Sequence, residues 1–387
     1  MQQSSAGYGV AGKLSGRQRD LAAIGLWVLG AAAVALLAVH NSYRLSSPAM
    51  PTLSSVVAQF ARFDYVHFDD IARLGYLPAP GTASTAAPLY AFFPAFPMLL
   101  RLGMALGLSS IVTGLAVSAV SGALASVWMR RIADEYVPGL GLKATAVFVT
   151  APPAIFLYAP YSESLFLALG LGAWYFGMRD KWFAAGALCA LACMVRISGA
   201  FLLAALLVLW LTRNRRGSVP AQPRAKRRSW LFLAIPAAVL AAWMAYLAFI
   251  TGDLLAYTSA QKYWGRHFEW PWTALSVTVT TYPPTGGPSM IGYAEAIAVA
   301  AGAVVTGVLI YRRLYGESVF VGLNVLLLAT SSYFYSVPRS ALLWWPLWIG
   351  IAYLLRRSRT ALALYLAFSL YLMLRWANLF LNGQWAG

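Results

Sequence analysis

The sequence predicts an all-α polytopic membrane protein, from its apolar content and from the placement of its charges. Of its 387 residues, 60% are hydrophobic and the mean hydropathy is +0.66, which is more apolar sequence than a soluble core can bury. Charged residues make up 11% of the chain, and most are basic, giving a formal net charge of +17. They fall in short segments between apolar runs, as in cytoplasmic membrane loops, so nucleic-acid binding is not expected.

Apolar runs divide the chain into a polar first segment and one membrane domain. We expect residues 1–20 to form a disordered cytoplasmic N-terminus and residues 21–387 to form a single integral membrane domain. A crossing takes about 20 residues, and the longer run 182–212 is predicted to be two short helices that meet at Arg196. The other apolar runs lie at 21–40, 109–129, 142–159, 163–179, 230–251, 289–311, 318–335, 340–355 and 359–378.

Basic residues orient these spans. The residues before the first span and the 213–229 loop, which has seven basic residues and no acid, are predicted to be cytoplasmic. The other basic loops lie on the same side only if the proline-interrupted segment 90–108 is re-entrant and does not cross. The prediction is then about eleven crossings, with the loops 41–89 and 252–288 on the outer face.

The first outer loop holds the densest group of acidic residues. Asp64, Asp69 and Asp70 surround His67, and the pattern over 64–74 predicts an amphipathic helix at the membrane surface. Its spacing places Asp64, His67 and Asp70 roughly along one face. A carboxylate held against a bilayer is costly and is usually kept for chemistry, although acidic loop residues are also often only solvated. Four good metal ligands converge nowhere in the sequence, so no metal site is predicted.

Further polar residues interrupt the apolar sequence at points that the topology places on the same outer face. An arginine in apolar sequence, such as Arg196, needs a partner, which Glu163 or a lipid phosphate supplies. A glutamate at a helix start, however, also simply stabilises the helix dipole. The rings and cations of 252–270 suit either an aromatic belt or a cradle for a sugar phosphate. The candidate residues in these segments are Tyr161, Glu163, Arg196, Gln261, Lys262, Trp264, Arg266 and Arg339.

These segments resemble, in the same order, the motifs of the PIG-V family. FDYVHFDDIARLGY and the following FFPAFP are similar to the first luminal loop of that family, with Phe63 in the place of its tryptophan. PPAIFLYAPYSESLF, MVRISGAF, GDLLAYTSAQKYWGR and SVPRSALLWWPLW are similar to its later motifs, with Ser198 in the place of an asparagine, and the closing GQWAG matches imperfectly. The matching positions include Asp64, His67, Phe68, Ile71, Ala72, Gly75, Tyr76, Glu163, Arg196, Gly199, Gly252, Asp253, Ala256, Tyr257, Gln261, Trp264, Gly265, Arg266 and Arg339.

The resemblance implies a GT-C type glycosyltransferase, related to the enzymes that add the second mannose in GPI-anchor assembly. It implies transfer of mannose, with inversion, from a polyprenyl-phosphate mannose donor to a lipid-linked or glycolipid acceptor. We expect the chain to be a bacterial relative in the cell membrane, with an extracytoplasmic site and no metal or other cofactor. The acceptor, the polyprenyl chain length and any partner subunit stay open.

The residues suggest distinct roles within such a site. Asp64 is the expected general base, which accepts the proton of the acceptor hydroxyl. The cations stabilise the phosphate that leaves, and the rings stack on the sugar. The expected donor-binding residues are His67, Arg196, Gln261, Lys262, Trp264, Arg266 and Arg339, and the expected acceptor-binding or supporting residues are Asp70, Tyr161 and Glu163.

A polytopic transporter or lipid flippase is the main alternative, because it also has many helices and charges within apolar sequence. That class predicts polar residues at the membrane midplane in two related halves, whereas this sequence has no internal repeat and gathers its charges at one face. A membrane hydrolase has less support, since neither Gly-x-Ser-x-Gly nor His-Glu-x-x-His occurs.

Overall fold

The protein is helical throughout the part of the chain that the structure describes. A computed structural model describes residues 15–45, 50–84, 86–212, 224–281 and 290–384. Among these residues, the only β-pairing is an isolated bridge between Phe268 and Ser331. The helices are α1 (Gly16–Leu45), α2 (Leu53–Ala58), α3 (Asp64–Leu74), α4 (Ala95–Ala105), α5 (Ser110–Tyr136), α6 (Gly141–Val149), α7 (Ser162–Met178), α8 (Trp182–Cys193), α9 (Ser198–Thr212), α10 (Ala234–Thr251), α11 (Ala256–Gln261), α12 (Pro271–Thr280), α13 (Met290–Tyr311), α14 (Tyr315–Ala329), α15 (Val337–Ala341), α16 (Trp345–Leu355) and α17 (Arg359–Leu381).

Within the described ranges, five helices are long and apolar enough to cross a membrane by length and composition. They are α1, α5, α10 (with the helical turns before it), α13 and α17. The predicted class, an all-α polytopic membrane protein, is therefore confirmed. The number of about eleven crossings stays a prediction, because several other apolar helices are shorter than a bilayer crossing requires.

Several predicted segments differ from the structure. The predicted span 340–355 is divided between α15, which ends at Ala341, and α16, which begins at Trp345, and the helix in the predicted span 318–335 ends at Ala329. Helix α1 begins at Gly16, so the last residues of the predicted disordered segment 1–20 are helical, and residues 1–14 lie outside the described chain. The predicted span 142–159 is not one helix, since α6 ends at Val149 and a 3₁₀ helix occupies Pro152–Leu157. The cause is the pair Pro152 and Pro153, which cannot donate the backbone hydrogen bonds that a continuous helix needs.

Other segments agree with the sequence prediction. The run 182–212 is two short helices, α8 and α9, separated by a turn that contains Arg196. The helix predicted over 64–74 is α3, with the same bounds. Its apolar residues Tyr65, Phe68 and Ile71, which were predicted to face a membrane surface, are buried against other parts of the protein. The segment 90–108 contains α4, whose 11 residues extend about 16 Å; that it is re-entrant stays a prediction.

The predicted loops are described only in part. Most of the basic loop 213–229 and the end of the loop 252–288 lie outside the described residues, as do residues 46–49 of the first loop. The described part of 252–288 is structured, because it contains α11 and α12 with a 3₁₀ turn between them at Lys262–Trp264.

Packing of the central helices brings several irregular segments together. Helix α5 packs on α1 and α7, α7 packs on α8, and α9 packs on α14. The 3₁₀ segment 152–157 contacts both α15 and α17. The start of α3, the 152–161 segment, the α8–α9 turn and α15 are thereby brought to one place.

Candidate active site

Two arginines and two carboxylates form a continuous network at this place. Arg339 donates from Nη1 to Asp64 Oδ2 at 2.7 Å and from Nε to Glu163 Oε1. Arg196 Nη1 donates to the same Glu163 oxygen at 2.6 Å and to Ser162 Oγ at 2.9 Å. Two positive charges are therefore balanced by two negative charges, which is the condition for burying them.

Exposure distinguishes the members of the network. The side chain of Glu163 is fully buried and that of Arg339 is 6% exposed, whereas Asp64 is 25% exposed. Arg196 is 22% exposed. A bound molecule can therefore reach Asp64 and Arg196, while Glu163 acts through the two arginines that it holds.

Aromatic rings support the guanidinium of Arg339. Its Cζ lies 4.7 Å from the centre of the Phe156 ring and 4.8 Å from that of Tyr161, both within the range of cation–π attraction. Tyr161 donates from its hydroxyl to the carbonyl of Arg62 at 2.8 Å, and both rings pack against Phe380 of α17. The guanidinium is thus fixed by rings on its faces and by carboxylates at its edge.

The position of Asp64 follows from the start of α3. Asp64 is the first residue of the helix, where a negative charge is favoured by the helix dipole. Phe63 before it has a φ of 50°, in a region that L-residues rarely adopt, and its ring packs 5.9 Å from that of Phe380. The aromatic contact holds this turn, and the turn directs Asp64 toward Arg339.

The surroundings keep Asp64 ionised and His67 neutral. Burial by itself would raise the pKa of Asp64, but the charge and hydrogen bond of Arg339 outweigh it and hold the pKa below the ordinary value of 3.8. Burial lowers the pKa of His67 below 6.5, against the smaller opposite effect of Asp64. At neutral pH the site therefore contains an ionised carboxylate, paired with Arg339, beside an uncharged imidazole.

A group of aromatic rings from three segments surrounds His67, which lies on the same helix as Asp64. The His67 ring stacks on Phe92 with a centroid distance of 4.8 Å, and Trp264 lies edge-on to His67 at 6.2 Å and to Phe92 at 5.9 Å. Tyr333 donates to the carbonyl of Trp264 at 2.9 Å, which ties this loop to the segment before α15. Rings of this kind form the surfaces on which sugars stack.

The α8–α9 turn that carries Arg196 is closed tightly at Gly199. A Cβ at this position would lie 2.5 Å from the backbone Cα of Cys193, a distance at which the backbone has to move. Gly199 is therefore required for the turn, and the turn places Arg196 on Glu163.

We expect Gly199→Ala to lower the free energy of unfolding by about 1–3 kcal/mol, the usual cost of overpacking. Gly170→Ala is the control, because there a Cβ would first meet Leu202 at 3.4 Å, an ordinary contact, in a helix where alanine is favoured. Thermal unfolding in detergent compares the two variants, and equal melting temperatures would show that Gly199 is not required.

A comparison with known proteins assigns the family. A profile of the mannosyltransferase (PIG-V) family matches residues 31–282, well over half of the chain. The chain belongs to the PIG-V mannosyltransferase family. The resemblance stated from the motifs is thereby confirmed. The matched range includes Asp64, Glu163 and Arg196, whereas Arg339 lies beyond it and joins the site by its contacts.

Individual relatives match over shorter segments. GPI alpha-1,6-mannosyltransferase 2 of Mus musculus is 32% identical over 166 residues, which are 40% of this chain and 32% of that protein. GPI mannosyltransferase 2 of Yarrowia lipolytica is 32% identical over 89 residues, 22% of this chain and 25% of that protein. The chain thus spans about a third of the length of the curated relatives it matches, or less. No solved structure is significantly similar to the chain.

Some predicted site residues of this PIG-V family member lie away from the network. Asp70 is 3% exposed and accepts hydrogen bonds from the backbone N and the hydroxyl of Ser84 at 2.9 and 2.7 Å, so it fastens the first loop. Lys262 is exposed and Gln261 is half-buried, and neither side chain has a described contact with the two carboxylates. Arg266 lies over the ring of Tyr335 at 5.4 Å.

Metal binding has no candidate site in the described ranges. No group of three or more His, Cys, Asp or Glu side chains there could hold a metal ion. Metal independence stays a prediction.

The structure adds residues to the site that the sequence prediction did not include. Phe156 contacts Arg339 directly, and Phe380 packs on the Phe156 ring. Phe156 lies within the PPAIFLYAPYSESLF motif, whereas Phe380 lies in none of the segments that resemble the family. Glu295 differs, because it is a lone acid in an apolar helix, the pattern that marks a functional position in a membrane segment.

Proposed function

We propose that this PIG-V family member transfers mannose from polyprenyl-phosphate mannose to a hydroxyl of a lipid-linked or glycolipid acceptor. The transfer takes place at the extracytoplasmic face of a bacterial cell membrane, inverts the anomeric carbon and needs no metal. The observation that carries the proposal is the accessible Asp64 carboxylate, paired with Arg339 at 2.7 Å and lying beside the His67–Phe92–Trp264 ring group.

Asp64 is the general base of the proposed reaction. The acceptor O–H bond breaks and its proton passes to Asp64, while the acceptor oxygen forms a bond to the anomeric carbon. The bond from that carbon to the phosphate oxygen breaks, and its electron pair leaves with the polyprenyl phosphate. A base positioned in this way typically contributes about 10²–10⁴-fold in rate.

The network is suited to the movement of charge in this step. Before the reaction Arg339 neutralises the charge of Asp64, and Arg196 and Arg339 both pair with Glu163. When Asp64 takes the proton it loses its negative charge, while the departing phosphate gains one. The positive charge of Arg339 is then no longer matched by Asp64 and stabilises the phosphate together with the accessible Arg196.

The other residues take supporting roles in the proposal. Neutral His67, Phe92 and Trp264 form the surface for the sugar, and Arg266 adds positive charge near Tyr335. Glu163 holds both arginines, and Tyr161 packs on Arg339. Gln261 and Lys262, where α11 ends and the following 3₁₀ turn begins, remain candidates for the donor phosphate.

The test is transfer by purified protein from labelled short-chain polyprenyl-phosphate mannose into a lipid extract. Labelled GDP-mannose is supplied as the donor in a parallel reaction, and each reaction is run with and without EDTA. We expect a labelled product from the polyprenyl donor alone, unchanged by EDTA. Transfer from GDP-mannose, or loss with EDTA, would contradict the donor or the metal independence. Donor binding and movement across vesicles without transfer would favour the transporter.

The pH dependence of transfer is a further expected result. Asp64 has a pKa below 3.8 and His67 a pKa below 6.5, so neither group changes its charge between pH 8 and about 7. The rate should therefore be level over that interval and fall only toward acid, as His67 and then Asp64 take up protons. A pH–rate profile of kcat/KM with a midpoint near 7.5 would contradict these protonation states.

A further inference from the structure

Glu295 is a buried acid that the proposed reaction does not use. It lies in α13, is 1% exposed, and both of its carboxylate oxygens are engaged with the chain. Oε1 accepts from the backbone N of Ser336 at 2.9 Å, and Oε2 accepts from the backbone N of Val337 at 2.7 Å. One carboxylate thus binds two successive backbone N–H groups from a different part of the chain.

Those two N–H groups begin the short helix that carries Arg339. Helix α15 has five residues, no side-chain cap of its own and a proline in its first turn. Ser336 before it has a φ of 60°, a conformation that costs energy in a non-glycine residue. A helix this short is unstable alone, so its position depends on contacts such as those with Glu295.

Arg339 is two residues beyond the clamped Val337 and bridges Asp64 and Glu163. Its hydrogen bonds to Asp64 and Glu163 depend on the position of its own backbone, because a guanidinium has a rigid, planar set of donors. A movement of about 1 Å in a reacting group is enough to cost about 10²-fold in rate. We call the two hydrogen bonds that Glu295 accepts from the backbone of Ser336 and Val337 the clamp. A shift of the clamped backbone therefore moves the side chain of Arg339, which lies within the same helical turn.

We propose that Glu295 is a positioning residue, which fixes the start of α15 and thereby aims Arg339 at Asp64 and Glu163. The role in catalysis rests on the proposed function, whereas the clamp itself can be measured without it. Glu295 does not touch the substrate in this proposal.

The matched control is Glu317, another buried glutamate. It is 1% exposed, lies in the first turn of α14 and accepts from the hydroxyl of Tyr136. It is at the opposite end of α14 from the segment that leads into α15. Glu317→Ala therefore removes a buried carboxylate without touching the clamp.

The first measurement is hydrogen exchange of the backbone amides in 333–341, in full-length protein. Glu295→Ala removes both acceptors, so we expect exchange in this segment to rise by about tenfold or more, with Glu317→Ala at the wild-type rate. Unchanged exchange in Glu295→Ala would overturn the clamp, whether or not the protein transfers mannose.

The second measurement is transfer, at matched amounts of folded protein. Gln keeps one acceptor oxygen, so we expect kcat to fall from wild type to Glu295→Gln and further to Glu295→Ala. The total loss in kcat should be about 10–100-fold, and Glu317→Ala should keep full activity. In an Arg339→Lys background, the loss from Glu295→Gln should be smaller, because contacting residues that act together are not additive. Equal losses in both backgrounds, or equal losses from Glu295→Ala and Glu317→Ala, would overturn the positioning role. An inactive wild type would instead contradict the proposed function.

Discussion

Replacing Asp64 with asparagine is expected to reduce transfer by about 10³-fold, within the range for a lost general base. Asparagine has the same shape but does not take up a proton. The fold should survive, because Arg339 keeps Glu163 as a partner and the asparagine oxygen still accepts a hydrogen bond from it. Initial rates at matched folded protein, with thermal unfolding alongside, measure both parts of this prediction.

Asp69→Asn is the matched control for this variant. Asp69 lies on the same helix, but it pairs with the exposed Arg73 at 2.9 Å, an interaction of little energetic weight. We expect wild-type transfer from it. Rates within about tenfold of wild type in folded Asp64→Asn would remove Asp64 from the role of base.

Replacing Arg339 with alanine is expected to have the second large effect, on both rate and stability. The change removes the cation that balances Asp64 and leaves the buried Glu163 with Arg196 alone. Loss of one partner from a buried charge network costs about 3–5 kcal/mol, and loss of a charge-stabilising group costs about 10²–10³-fold in kcat. Arg339→Ala should therefore melt at a lower temperature and transfer very slowly.

Arg339→Lys separates charge from geometry. A lysine restores the positive charge, but its single ammonium does not reproduce the guanidinium fork that reaches both carboxylates. We expect its stability to be close to wild type and its rate to remain at least tenfold lower. Arg179→Ala is the control, because that arginine is 50% exposed in its pair with Glu135. Wild-type transfer by Arg339→Lys would show that only the charge matters.

The local parts of this site could be predicted from the sequence. The amphipathic pattern of α3 gave its bounds, because its apolar positions follow the helical period and Asp64 suits a helix start. The break of 182–212 at Arg196 was predicted because a charge in apolar sequence rarely continues a plain span. The pairing of Arg196 with Glu163 was one of two alternatives, and the structure contains it.

The long-range parts could not be predicted. Arg339 meets Asp64 across 275 residues, and no periodicity contains that information. Asp70 was grouped with Asp64 by helical spacing, but successive steps of three residues turn around the helix, and its side chain binds Ser84 instead. The error over 142–159 is of a different kind, because hydropathy alone does not register a helix break, whereas Pro152 and Pro153 within that segment are a local sequence signal for one.

The anomeric configuration of the product is the most direct test of a single displacement at the anomeric carbon with Asp64 as the base. Purified protein is supplied with polyprenyl-phosphate mannose of known configuration, and the new glycosidic linkage is determined by NMR on the isolated product. A base-assisted single displacement predicts a linkage of opposite configuration to the donor. A product of the same configuration would mean two successive displacements, with a carboxylate as nucleophile, and would contradict the role of Asp64 as general base.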